Sequence, residues 1–116
     1  MNHEIEIRHL RYFVAVAEEL HFGRAATRLH IAQPPLSQQI RKLEEMLGHA
    51  LFQRTSREVR LTAAGEELLE RARHTLKKID ADISAVRKAG RGETGALTVG
   101  FVGSAMLTAL PCWRQS

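Results

Sequence analysis

A mainly α-helical fold is predicted for this chain of 116 residues, and three features carry the prediction. Apolar residues recur at helical spacing through 7–20, 36–47 and 69–86. A tight corner, Leu29-His30-Ile31-Ala32, separates two helical stretches. Between residues 51 and 61 the pattern changes to that of two brief strands. Together these read as a winged helix-turn-helix followed by a long dimerising linker helix.

Leu10, Phe13, Val14, Val16, Ala17 and Leu20 form one apolar face, which makes Ile7–Leu20 the first helix. His21-Phe22-Gly23 is its stop. The second helix, Gly23–Leu29, is short, and its Ala25 and Ala26 are small enough to let a crossing helix approach closely. The third helix starts near Gln33. Pro34 and Pro35 are tolerated there because first-turn amides have no intrahelical partner to lose. Leu36, Ile40, Leu43 and Leu47 then fall within about 60° of one another around the helix axis. The opposite face carries Pro34, Gln38, Arg41 and Glu45, with Ser37 on its flank, and Gly48 closes the helix.

Leu51-Phe52-Gln53-Arg54 and Val59-Arg60-Leu61 read as paired strands, and Thr55-Ser56-Arg57-Glu58 as their turn. This wing carries Arg54, Arg57 and Arg60. Thr62 is a candidate N-cap for a helix running to about Ala89. Glu66, Glu67 and Glu70 near its start, and Lys77, Lys78, Arg87 and Lys88 toward its end, suit the helix dipole. Such a helix is about 42 Å long at 1.5 Å per residue, which is long for so small a domain. Leu69, Ala72, Leu76, Ile79, Ile83 and Val86 recur at spacings of 3, 4, 3, 4 and 3, a heptad seam. A seam that narrow calls for a partner helix, so a homodimer is expected. The competing reading packs the seam on its own domain.

Gly90–Gly95 reads as a hinge. Its Gly90-x-Gly92-x-x-Gly95 spacing formally matches a dinucleotide fingerprint, but it follows a helix and precedes a strand, the reverse of what that chemistry requires. Leu97–Gly103 reads as a strand, and Ser104–Leu110 as the start of a helix that Pro111 breaks. The expected organisation is a winged helix-turn-helix over 1–61, a linker helix over 62–89, a hinge over 90–95 and a closing stretch over 96–116 that opens with a strand.

The whole chain carries a net charge of +4, and the stretch 21–61 alone carries +4. Positive charge thus gathers on the helix-corner-helix and wing, as a footprint for phosphates would; the plain alternative is a solvated basic surface. The lone cysteine, Cys112, permits no intrachain disulfide and fits a reducing compartment. The N-terminus lacks the apolar stretch of a signal peptide, and glycines, Ser104 and threonines interrupt the longest apolar run, Ala96–Leu110. A soluble cytoplasmic chain with no membrane partner is expected. The six histidines show no metal-ligand spacing, and His21, His30 and His49 are expected to pack at corners. No nucleophile stands beside a base, so neither enzymatic activity nor a cofactor is expected.

The favoured partner is double-stranded DNA. Gln33, Ser37, Gln38 and Arg41 are the candidate base and phosphate contacts, since Gln pairs with adenine and Arg with guanine or phosphate. Pro34 and Pro35 can press against thymine methyls. Arg54 and Arg57 suit phosphate or the minor groove, although Arg54 has the alternative of an acid in its own domain. Arg24 and Arg28 on the second helix are weaker phosphate candidates.

These residues resemble a known family. Leu10-Arg11-Tyr12-Phe13-Val14-Ala15-Val16-Ala17-Glu18 resembles the opening helix of LysR-type transcriptional regulators. The resemblance continues through Ala25-Ala26, Gln33–Ile40, Leu43-Glu44, Leu47-Gly48, Leu51–Arg54 and Leu61–Gly65, and covers about residues 7–104. Gln-Pro-Pro-Leu-Ser at 33–37 and Gly-Phe-Val-Gly-Ser at 100–104 resemble especially the regulators of aromatic-compound degradation. The resemblance implies promoter binding, a homotetramer in the complete protein and a large domain that takes a small organic-acid effector, with Ser104 at its carboxylate.

Two departures stand out. Gly23 and Ala32 occupy positions where many relatives carry Ser or Thr; Gly23 can still cap a helix, whereas Ala32 cannot through its side chain. By family pattern the chain also stops short of its α/β effector-binding domain: 96–116 is the truncated start of that domain, its first strand and part of a helix, so no competent effector site is expected within it, and Cys112–Ser116 departs from the expected sequence. That leaves a second expectation, a truncated module acting through mixed dimers with full-length relatives.

Overall fold

The computed structural model describes residues 4–92. Its elements, in chain order, are α1 (Ile7–Glu19), α2 (Phe22–Leu29), α3 (Gln33–Leu47), β1 (Phe52–Arg54), β2 (Val59–Leu61) and α4 (Ala63–Gly90). The chain is therefore mainly helical, with the two-stranded wing between α3 and α4. The expected strand over 97–103, the following helix, Ser104 and Gly95 of the hinge lie outside the described residues. By internal packing the chain divides into two units, residues 1–77 and 78–116.

In the first unit, α1, α2 and α3 close around one core. Phe13, Val16, Leu36, Ile40, Leu43 and Leu51 are fully buried. Ala25 and Ala26 of α2 are buried as well, which is the close helix approach that their small size permits. The wing is antiparallel, with Phe52 opposite Leu61, Gln53 opposite Arg60 and Arg54 opposite Val59. Thr55 closes its turn: its hydroxyl oxygen accepts from the backbone N–H of Arg57 at 3.2 Å and of Glu58 at 2.9 Å.

Local signals explain most helix ends. Pro34 and Pro35 sit in the first turn of α3, Ala32 caps it with no side-chain bond, and Gly48 ends it at φ 78°. Thr62 caps α4 by accepting from the N–H of Gly65 at 3.0 Å. Other ends correct the expectations. Leu20 is not part of the buried face of α1; it stops the helix in the left-handed region at φ 50° and is 44% exposed. Leu47 is likewise exposed, because it occupies the last position of α3 before the chain turns away.

α2 starts one residue before the expected position. His21 is its N-cap, with Nδ1 accepting from the N–H of Arg24 at 2.9 Å, so Gly23 lies inside the helix and caps nothing. The expected corner packing of His21, His30 and His49 is also wrong. All three are exposed, and His30 is the left-handed residue that ends α2 at φ 61°. The buried histidine is His9, whose Nδ1 accepts from the N–H of Glu6 at 2.9 Å. That bond places the ring proton on Nε2, which is buried and meets no partner among the described residues.

The heptad positions of α4 divide between the two units. In the first, Ala72 is buried, and Leu69 and Leu76 pack against the core of the same unit. In the second, Ile79 is half-buried, whereas Ile83 and Val86 are 43% and 70% exposed. Lys78 and Asp82 pair along the helix at 3.0 Å.

A candidate nucleic-acid interface on α3 and the wing

Burial of one face of α3 determines what the other presents. With Leu36, Ile40 and Leu43 inaccessible, Gln33, Pro34, Pro35, Gln38 and Arg41 stand exposed and Ser37 half-buried. Over residues 33–41 the helix therefore offers solvent two prolines, two amides, a hydroxyl and one guanidinium, with Lys42 and Glu45 exposed beyond them. Amides and hydroxyls lose little by leaving water for the donors and acceptors of base edges.

The wing is fixed to this helix by α3 itself. The Glu44 carboxylate accepts from the backbone N–H of Leu51 at 2.8 Å and of Phe52 at 3.3 Å. The same corner fastens α4. Thr62 donates its hydroxyl to the carbonyl oxygen of Ala50 at 2.7 Å and its N–H to that of Leu51 at 3.0 Å. Gly65 follows with no side chain, and a Cβ there would overlap the Leu51 carbonyl oxygen. Helix α3, the wing and the first turn of α4 thus share one hydrogen-bonded joint at residues 50–52.

The basic residues separate into two sets. Arg28 pairs with Glu18 at 2.7 Å and with Glu19 at 3.3 Å. Arg24 donates to the Glu19 carbonyl oxygen at 3.1 Å and pairs with the Glu19 carboxylate at 3.6 Å, and Arg60 pairs with Glu58 at 2.7 Å. Glu18 also accepts from Arg73 of α4 at 2.9 Å. The hydrogen bond from Arg28, with help from Arg73, holds the Glu18 carboxyl below its ordinary range despite partial burial. The same bond raises Arg28. Arg24 and Arg28, expected as phosphate contacts, are therefore engaged by carboxylates of α1. In contrast, no carboxylate among the described residues pairs with Arg41, Lys42, Arg54 or Arg57. The uncompensated positive charge of the stretch 21–61 narrows to α3 and the wing.

Arg54 does not take the acid partner considered for it. Its guanidinium carbon sits over the ring of Phe22, 4.5 Å from the centroid. Phe22 in turn meets Phe52 edge-on at 5.9 Å, and Phe52 meets buried Phe13 at 5.4 Å. Sequence reasoning missed Phe22, taking it for part of a helix stop, and it gave no structural part to Glu44, Glu18 or Arg73. No periodicity marks such residues, since their partners lie on other elements.

Among the described residues, no group of His, Cys, Asp and Glu is placed to hold a metal ion. No helix there is long and apolar enough to cross a membrane. Residue Ser104, expected at an effector carboxylate, lies outside the described residues.

Comparison with known proteins converges on one family. Residues 7–66 match the model of the bacterial regulatory helix-turn-helix proteins, lysR family. The HTH-type transcriptional regulator AlsR of Bacillus subtilis (strain 168) is 56% identical over 107 residues, 92% of this chain and 35% of that protein. The HTH-type transcriptional regulator ClcR of Pseudomonas putida is 51% identical over 107 residues, again 92% of this chain and 36% of that protein. The chain thus spans about a third of the length of these curated relatives. The crystal structure of the BenM_DBD/benA site 1 DNA complex matches with a TM-score of 0.73 at 48% identity, covering 76% of this chain and 99% of that one. The crystal structure of CbnR, a LysR family transcriptional regulator, matches with a TM-score of 0.73 at 44% identity, covering 76% of this chain and 30% of that one.

Proposed function

The chain belongs to the LysR family of bacterial regulatory helix-turn-helix proteins and carries its DNA-binding domain, and from that premise we propose that it reads promoter DNA as a homodimer. The observation that supports this most is the exposed face of α3. Its Gln33, Pro34, Pro35, Ser37, Gln38 and Arg41 stand beside a wing whose Arg54 and Arg57 have no carboxylate partner among the described residues. In this reading α3 enters the major groove, Gln38 and Gln33 read adenine edges, Ser37 and Arg41 add base or phosphate contacts, and the prolines meet thymine methyls. Arg54 and Arg57 reach phosphate or the minor groove from the wing. Arg24 and Arg28 serve chiefly to pin α2 to α1, and they meet phosphate only at the edge of the footprint.

The second copy joins through the heptad face of α4. Ile83 and Val86, with half-buried Ile79, supply the open part of that seam, and Leu69, Ala72 and Leu76 carry the same heptad spacing in the first unit. For the complete protein, the motifs at 33–37 and 100–104, which resemble those of regulators of aromatic-compound degradation, favour control of aromatic-compound catabolism. In that form a tetramer responds to a small organic acid held in part by Ser104.

Selection of bound duplexes from random DNA tests the reading. A two-part motif is expected, with a spacing fixed by the dimer and an affinity for the selected duplex that falls steeply with salt. Recovery of no enriched sequence, or equal affinity for selected and random DNA, would overturn it.

A further inference from the structure

We propose that Phe22 is a positioning residue for the wing: its ring holds the Arg54 guanidinium in place while leaving the N–H donors of that group available to a nucleic-acid phosphate. This rests on the DNA-binding reading and deepens it by assigning a role on α2 to a residue outside the recognition helix.

The argument starts from two ways of holding an arginine. A carboxylate partner occupies the N–H donors and cancels the charge, as Glu18 and Glu19 do for Arg28 and as Glu58 does for Arg60. An aromatic face attracts the cation through the ring quadrupole and consumes neither charge nor donors. Arg54 is held in the second way, its guanidinium carbon 4.5 Å from the Phe22 centroid. No hydrogen bond from that guanidinium to another described residue accompanies the contact.

The ring is itself anchored. Phe22 opens α2 directly after the cap His21 and is half-buried. It packs edge-on against Phe52 at 5.9 Å and 66°, and Phe52 is tied to Phe13 at 5.4 Å. Phe13 and Phe52 are both buried. A stack of three rings therefore runs from the core to the cation. The long side chain at the wing loses part of its rotamer freedom when the domain folds rather than when it meets DNA. The contact also joins α2 to β1, elements that precede and follow α3 in the chain.

The test uses duplex affinity measured by fluorescence anisotropy on a selected and a random sequence. Phe22→Leu keeps an apolar side chain but removes the ring. It is expected to weaken binding to both duplexes alike by about threefold to tenfold. Phe22→Tyr restores the affinity, and in an Arg54→Ala background Phe22→Leu costs nothing further. Should Phe22→Leu not fold, a multiply fluorinated phenylalanine at position 22 keeps the shape and depletes the ring face of negative potential, with the same loss expected. Unchanged affinity on removing or fluorinating the ring, or an undiminished loss in the Arg54→Ala background, overturns the assignment. Wild-type chain that binds no duplex sinks the DNA reading, and this one with it; wild-type binding that ignores Phe22 sinks this one alone.

Discussion

Gln38 and Arg54 are both exposed and polar, and the proposed DNA reading gives them different work. Gln38 stands on the solvent face of α3, where an amide can satisfy one base edge and not another. Gln38→Ala should therefore narrow the ratio between selected and random DNA, by about 1–3 kcal/mol for a bidentate contact. Arg54→Ala should weaken all duplexes about equally and lower the salt slope by about one. Competition binding at several salt concentrations separates the two, and a uniform loss from Gln38→Ala would count against base reading.

Glu18 is the residue whose ionisation holds elements together. It ties Arg28 of α2 and Arg73 of α4 to α1. Its carboxyl titrates below the ordinary glutamate range because those guanidinium groups favour the charged form. A group depressed in this way contributes stability above its unfolded pKa and loses it as pH falls through the folded value. Melting followed into the acid range should thus show the wild type losing stability faster than Glu18→Gln. Parallel curves would mean that the pairs hold nothing.

At the scale of elements, the joint at residues 50–52 decides how α3, the wing and α4 meet. Glu44 is the acceptor for two backbone amides there. Glu44→Ala strands both, at about 1–3 kcal/mol for each amide left buried without a partner. Gly65→Ala forces a methyl against the Leu51 carbonyl oxygen, and overpacking of that kind costs about 1–3 kcal/mol. Denaturant midpoints of the two variants measure these losses. A Gly65→Ala protein as stable as wild type would show that α4 can shift off the joint. The helices themselves were legible because each carries its own period and caps: Pro34, Gly48 and Thr62 act on their own backbone. The joint was not, because Glu44, Leu51 and Gly65 meet only after the chain has turned twice.

For the whole molecule, the decisive surface is the heptad face of α4. The seam reads as one stripe in the sequence, but only its second part stands open: Ile83 is 43% and Val86 70% exposed. Burying such a side chain contributes about 1.5–3 kcal/mol, and a two-fold pair counts it twice. Ile83→Asp should consequently weaken self-association by about a hundredfold or more, as sedimentation equilibrium would read. Binding to a two-part site should fall with it. An unchanged association constant would place the proposed dimer elsewhere.

The amino-acid order alone determined the helix-corner-helix, the wing, the capped long helix and the solvent face of α3. Each of these follows from periodicity or from a residue acting on its neighbours. It also placed the surplus charge within 21–61. Tertiary structure decided which of those charges remain available: Arg24, Arg28 and Arg60 are drawn to carboxylates, whereas Arg54 rests on an aromatic face. It also decided that Leu69, Ala72 and Leu76 turn to their own core while Ile83 and Val86 do not. A charge or an apolar side chain acquires its role from what packs beside it, and those neighbours come from elements that the local pattern does not connect.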